Sequence, residues 1–270
     1  MVLNGRIKGL IRWLCSCAFV LGGFLSATRA QQNPTSAVDP VQAANKMATM
    51  THDWIKGKAS SPGTSVDIRE TTRAKDGGRL IVKYNVYVNG ASKDQTYTLV
   101  QWPTNAPGPS EILRGLSISV EGLLVCAGRT PEQCGEANKK DDPVNLTFYP
   151  AKGEIQRLAL ISADHDTKVF FAIVPDPIVQ KDKGCSLEVI RLTPKFELAL
   201  ILAKGFQPGE ELQFTSNSYT ESQDHKQIAD SLGEYSSALL PFVKNKRAGK
   251  TSLTLKGASC GPALSFEWGE

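Results

Sequence analysis

Leu80-Ile81-Val82-Lys83-Tyr84-Asn85-Val86-Tyr87-Val88-Asn89-Gly90 decides the fold class. Leu80, Val82, Tyr84, Val86 and Val88 fall at every second position, and because successive side chains of a strand point to opposite faces, this spacing puts one apolar face on an extended segment. The turn pair Asn89-Gly90 follows, and Tyr97, Leu99 and Gln101 then run into Trp102-Pro103, so the spacing predicts a hairpin. Working outward, further strand candidates are Leu116 to Val120, Leu123 to Cys126, Val144 to Tyr149, Arg157 to Ser162 and Lys168 to Val174. Segments rich in Pro, Gly, Asp or Asn separate them. Parallel β-α-β units need intervening helices, and none is visible between 60 and 177, so this zone reads as an antiparallel sandwich or barrel.

Pro175-Asp176-Pro177 stiffens the chain and breaks any ladder, which marks a domain boundary. Beyond it the same grammar returns in Ser186 to Leu192, Glu197 to Lys204, Glu211 to Thr215, Lys226 to Ala229, Glu234 to Leu240, Thr251 to Lys256 and Leu264 to Trp268. Leu198 to Ala203 is continuously apolar, as a strand buried on both faces would be. Seven short strands in about ninety residues match an immunoglobulin-like sandwich in size and turn spacing. Ahead of both zones, Asp39-Pro40 places an N-cap and a first-turn proline before a helix ending near Gly57. Val41, Ala44, Ala48 and Ile55 mark one face of that helix, and Met47, Met50 and Trp54 mark its neighbour. The helix docks on the body, stays loosely attached, or recruits another protein. The expectation is therefore an all-β chain of two tandem antiparallel β-sandwich domains, 60–177 and 178–270, the second immunoglobulin-like, with a leader and short helix in 31–59.

Lys204-Gly205-Phe206-Gln207-Pro208-Gly209-Glu210-Glu211-Leu212 resembles the G-F-x-P-G-E signature of bacterial immunoglobulin-like domains, where it follows an early strand. Ala229-Asp230-Ser231-Leu232-Gly233-Glu234-Tyr235 is similar to their A-D-x-x-G-x-F/Y turn, with Tyr235 where Phe is common. Ala258 to Phe266 resembles their final hairpin. The likeness covers 185–269, and the whole chain resembles exported bacterial proteins built this way. It implies a fold and no activity. One departure is the polar stretch Asn217 to Asp224, which reads as a lengthened loop.

Met1 to Ala30 reads as a secretory signal: Arg6, Lys8 and Arg12 precede an apolar run from Trp13 to Leu25, and small residues close it at Ala27, Thr28 and Ala30. The segment holds four basic residues and no acid, so the excess of 31 Lys+Arg over 27 Asp+Glu vanishes on its removal. A neutral mature chain has no net field to draw nucleic acid or an anionic membrane. No later apolar stretch reaches the roughly 18 residues of a membrane span. The expected product is secreted or periplasmic, with no transmembrane segment, no nucleic-acid partner, and an unknown protein or glycan ligand.

The mature chain retains Cys126, Cys134, Cys185 and Cys260. Four cysteines allow three connectivities. The pairing that keeps each bridge inside one sandwich joins Cys126 to Cys134 and Cys185 to Cys260. Zinc is the competing reading, against which stand the lack of a C-x-x-C pair and of a neighbouring histidine.

Motifs for chemistry are mostly missing: G-x-S-x-G, S-x-x-K, H-E-x-x-H, G-x-G-x-x-G and an EF-hand loop do not occur. Gly249-Lys250-Thr251 ends like a phosphate loop, but position 244 is Lys where that motif requires Gly. The histidines are His52, His165 and His225. His52 sits on the helix, His225 in the lengthened loop, and Asp164-His165-Asp166 in a hairpin turn, where turn chemistry competes with a weak cation site. The adjacent acids Asp141-Asp142 and Glu210-Glu211 diverge if they lie on strands, which argues against a glycosidase pair. Trp102 and Tyr219 are the ring-bearing binding candidates, core packing being the alternative for Trp102. Asn145-Leu146-Thr147 matches a glycosylation acceptor inside a strand candidate. The resulting expectation is a non-enzymatic module that binds through sandwich loops and needs no cofactor. A hydrolase without a motif and a carbohydrate-binding accessory protein are the alternatives.

Overall fold

The computed structural model describes residues 39–269 except 105, 107, 129–133, 135–138, 194 and 196. The signal expected in Met1 to Ala30 lies outside them. The described chain is all-β, with four antiparallel sheets and one short helix.

The helix, α1 (Pro40–Ile55), starts where Asp39 Oδ1 accepts the Val41 N–H at 3.0 Å and Pro40 supplies a preset first turn. It ends at Gly57, whose φ of 63° is the left-handed conformation that terminates a helix. The first sandwich contains β1 (Ser65–Asp76), β2 (Arg79–Asn89), β3 (Tyr97–Trp102), β4 (Ser110–Ile118), β5 (Leu124–Cys126), β6 (Asn145–Phe148), β7 (Gln156–Ser162) and β8 (Lys168–Ile173). One sheet runs β1-β2-β6, the other β5-β4-β3-β7-β8. Val82, Tyr84, Val86 and Val88 of β2 face Leu99, Leu116, Leu158, Leu160 and Phe171 across the core.

Asn89-Gly90 is not a hairpin turn, because β2 and β3 belong to different sheets. β2 pairs instead with β1, from Ser65 opposite Asn89 to Asp76 opposite Arg79. The turn is Gly77-Gly78, with φ of 54° and 83° at its two positions, as a hairpin turn matching strand twist needs. Gly90 serves a close approach, since a Cβ there would overlap the Gly63 carbonyl.

The second sandwich contains β9 (Ile178–Asp182), β10 (Cys185–Arg191), β11 (Ala199–Lys204), β12 (Glu211–Ser218), β13 (Glu221–Ile228), β14 (Tyr235–Leu239), β15 (Ala248–Lys256) and β16 (Ala263–Gly269). A near sheet runs β14-β11-β10-β9 and a far sheet β13-β12-β15-β16. The stretch Asn217 to Asp224 is not a long loop: it forms the adjoining ends of β12 and β13, turning tightly at Tyr219-Thr220. His225 is accordingly a strand residue. Gly249 to Thr251 also lies within a strand, β15.

Leu187, Val189, Ala199 and Ile201 point into the second core. Ile190, Leu200 and Leu202 point the other way, where α1 and the first sandwich cover them. Ala44 and Ala48 of α1, Ile155, Ala172 and Val174 of the first sandwich, and Leu192, Leu198 and Ala238 of the second share this third cluster. That is why β11 is apolar on both faces. Trp54 Nε1 donates to the Leu158 and Phe171 carbonyls at 2.8 and 2.9 Å, and Lys56 pairs with Glu234 at 2.6 Å, so the helix is fastened to both sandwiches.

Candidate functional site

Where α1 passes the edge strands β14 and β13, it leaves a cleft of about 540 Å³. Asn45, Thr49 and His52 come from the helix, Gln223, His225 and Gln227 from β13, and Ser236 and Ser237 from β14. Phe214 and Tyr235, both buried in the second core, border the cleft as well. The His225 imidazole lies 4.8 Å from the Phe214 ring. His52 and His225, distant in sequence, thus line one space. On the other side of His52 a second cleft of about 370 Å³ is lined by Lys56, Glu188, Lys204, Asp230 and Glu234.

Charges in this region are tuned mainly by burial. The His52 pKa is lowered by burial first and then by Lys58 and Lys56, against the opposing pull of Asp53 and Glu234. Glu188 is raised by burial on the near sheet, with Lys204 acting against the shift. Tyr235 is raised by burial. Asp230 is lowered because its carboxylate accepts the backbone N–H groups of Glu234 and Leu232 at 2.9 and 2.8 Å. Amides, hydroxyls and imidazoles, with the charges of Asp53 and Lys58 in the lining paired to each other at 2.8 Å, equip the larger cleft to hold a polar uncharged molecule. Among the described residues, no group of three or more His, Cys, Asp or Glu could hold a metal ion.

Arg157 is fully buried in β7, between α1 and the end of β3. Its Nε donates to the Trp102 carbonyl at 3.2 Å, and Nη2 to the Pro103 carbonyl at 3.3 Å. Nη1 reaches Thr51 Oγ1 at 3.3 Å, and the guanidinium lies 4.2 Å from the Trp102 ring. Trp102 is buried and donates to the Ala106 carbonyl at 3.0 Å, so it packs the junction and offers no exposed platform. Arg157 was expected only as the first residue of a strand; its charge directly before the apolar run Leu158 to Ile161 is the sequence signal that could have marked this junction.

The other expected residues lie apart from the clefts. Asp164 accepts from Ser162 Oγ, Gln95 Nε2 and the Asp166 N–H, and His165 is exposed at φ 65°. These are the bonds of a turn. Asp142 accepts the Lys139 N–H at 3.1 Å; Glu210 accepts the Gln207 and Ala258 N–H groups at 2.8 and 2.5 Å, while Glu211 pairs with Lys226. Neither acidic pair converges on a common point. Asn145 is exposed on β6. Cys126 pairs with Cys134 and Cys185 with Cys260, at Cα–Cα distances of 5.5 and 6.2 Å. Tyr219 is exposed at the tip of the β12–β13 hairpin.

The two signature stretches meet at the opposite end of the second sandwich. Phe206 is buried, its N–H donates to the Gly233 carbonyl at 3.2 Å, and a Cβ on Gly233 would overlap the Phe206 carbonyl. Glu210 ties its own turn to the loop at Ala258. These residues close the sandwich end.

No family model matches the chain, and no curated protein does. Among solved structures it is similar to one titled "Biofilm associated protein - BSP domain", at 7% identity over 78% of this chain and 52% of that chain, with a TM-score of 0.18. The chain thus spans about half the length of that structure.

Proposed function

We propose that the chain is an exported, non-catalytic binding or structural module whose C-terminal sandwich is immunoglobulin-like. With β10 taken as the first strand, β10-β11-β14 facing β13-β12-β15-β16 follows the A-B-E and C′-C-F-G order of such sandwiches. Two cysteine pairs at bonding distance suit an oxidising compartment outside the cytoplasm. No helix among the described residues is long and apolar enough to cross a membrane.

The observation that carries the binding reading is the cleft of about 540 Å³ beside α1, which has the size of a small-ligand site and a lining rich in hydrogen-bonding groups. The test incubates residues 31–270 with a panel of neutral oligosaccharides and reads both melting temperature and product mass. The expected result is a rise in melting temperature for one class with the sugar recovered intact, and loss of that rise in His52→Ala/Gln223→Ala. Conversion of any sugar to shorter products would overturn the non-catalytic reading, and no shift across the panel would overturn the cleft as a neutral-saccharide site.

A further inference from the structure

One end of the second sandwich carries a dense run of cations around an anchored ring. Lys244, Lys246, Arg247 and Lys250 occur within seven residues of the β14–β15 connection and the start of β15, and all four are exposed. Lys195, in the β10–β11 connection, is brought to the same end: the Gly269 N–H donates to the Lys195 carbonyl at 2.7 Å, and Gly269 pairs with Ala248. Among the described residues, none of these five cations forms an ion pair.

Tyr219 stands among them at 54% exposure. Its ring is fixed from several sides. Its hydroxyl donates to the Ala248 carbonyl at 2.5 Å, the ring meets Trp268 edge-on at 6.2 Å, and Lys246 Nζ lies 5.0 Å from its centroid. The backbone at Tyr219 takes a φ of 52°, and a Cβ on Gly249 would overlap its ring, so position 249 must be bare for the ring to lie there. A large exposed aromatic held this way gives contact area with little ordering cost.

We infer that this end is a binding site for a short acidic oligosaccharide of the uronic-acid class. Carboxylates on successive sugars would meet the Lys246, Arg247 and Lys250 cations, Arg247 being able to grip one with two parallel bonds, while a pyranose face packs on Tyr219. The extent of the patch argues against a long polyanion. Glu221 closes the Tyr219-Thr220 turn and Glu267 stands opposite Lys250, so acids bound the cations on two sides. A nucleic-acid tract would run over them, whereas a few sugar residues fit inside. The inference rests on the reading of the chain as an exported binding module, but none of these residues lines the cleft beside α1.

Calorimetric titration of residues 31–270 with oligogalacturonate of six units tests it, with cellohexaose and a twelve-nucleotide oligothymidylate as comparisons. Binding of the oligogalacturonate alone is expected, weakening as salt is raised. Lys246→Glu/Arg247→Glu should weaken it at least tenfold and Tyr219→Ala several-fold, with far-UV circular dichroism unchanged. Lys75→Glu/Lys152→Glu alters net charge equally on the first sandwich and should leave binding as it is. Equal or tighter binding of the oligothymidylate, equal losses in the two charge-reversal variants, or no binding of oligogalacturonate would each overturn the proposal. The last of these leaves the cleft reading standing, since that reading is probed with neutral sugars.

Discussion

The Arg157 guanidinium is buried with no carboxylate partner among the described residues. Arg157 keeps its charge because neutral acceptors surround it: two main-chain carbonyls, a hydroxyl, and the face of Trp102. Burial pushes its pKa down to about 10, which leaves it protonated at neutral pH. Arg157→Met keeps much of the volume but strands the Trp102 and Pro103 carbonyls, so a loss of about 2–3 kcal/mol is expected from denaturant unfolding. Two shifted groups beside α1 act in opposite senses. The folded pKa of His52 lies below its unfolded value, so the unfolded chain takes up protons more readily, and stability should fall as pH drops through and below about 6.5. His52→Gln should flatten that slope. The folded pKa of Glu188 lies above its unfolded value, so its cost grows as pH rises from about 4.5. Glu188→Gln should therefore stabilise the protein at pH 7, and denaturation of both variants between pH 4 and 8 separates the two contributions.

Elements differed in how plainly the sequence announced them. β2 and β11 were legible because their burial patterns, one face for β2 and two for β11, are written in apolar spacing, and α1 because Asp39, Pro40 and Gly57 bracket it. β1 was not, and of β13 only the end at Lys226 to Ile228 was. Both are edge strands with mostly exposed residues: β13 buries neither face, and β1 turns only Val66 and Ile68 to the core, too short a period-two run to stand out. Their registers come from turns, Gly77-Gly78 and Tyr219-Thr220, and from partners that do carry the pattern. The larger cleft was hidden for a related reason: docking of α1 brings His52 to His225, and no local spacing encodes it. The cysteine pairs could be expected, since each links segments of one sandwich. In the loop-entropy picture, removing Cys185–Cys260 by double substitution to Ser should cost about 4.5 kcal/mol and removing Cys126–Cys134 about 2.5 kcal/mol. Unfolding of the two variants under identical conditions checks the order. A larger loss from the short loop would show that local packing at Cys134 outweighs chain entropy.

At the scale of the whole molecule, α1 fuses the two sandwiches. It fills the space between the five-stranded sheet and the near sheet, hydrogen-bonds to one and forms an ion pair with the other, and covers apolar surface on both. Direct contact adds to this at Gly153, whose carbonyl accepts the Arg191 N–H at 2.8 Å and where a Cβ would crowd Ile178. The tryptophans report the two sides separately: Trp54 and Trp102 meet at the helix junction with ring centroids 5.7 Å apart and planes tilted by 56°, whereas Trp268 is buried in the second sandwich. Fusion by the helix is tested most directly by urea unfolding of residues 31–270, followed by tryptophan fluorescence and far-UV circular dichroism, in the wild type and in Ala44→Asp/Ala48→Asp. The wild type should unfold in one transition coincident by both probes. The variant, with two carboxylates forced into the shared cluster, should unfold in two, the junction signal leading. A variant that keeps the single wild-type transition at the same midpoint, or a wild type that already unfolds in two steps, would contradict it.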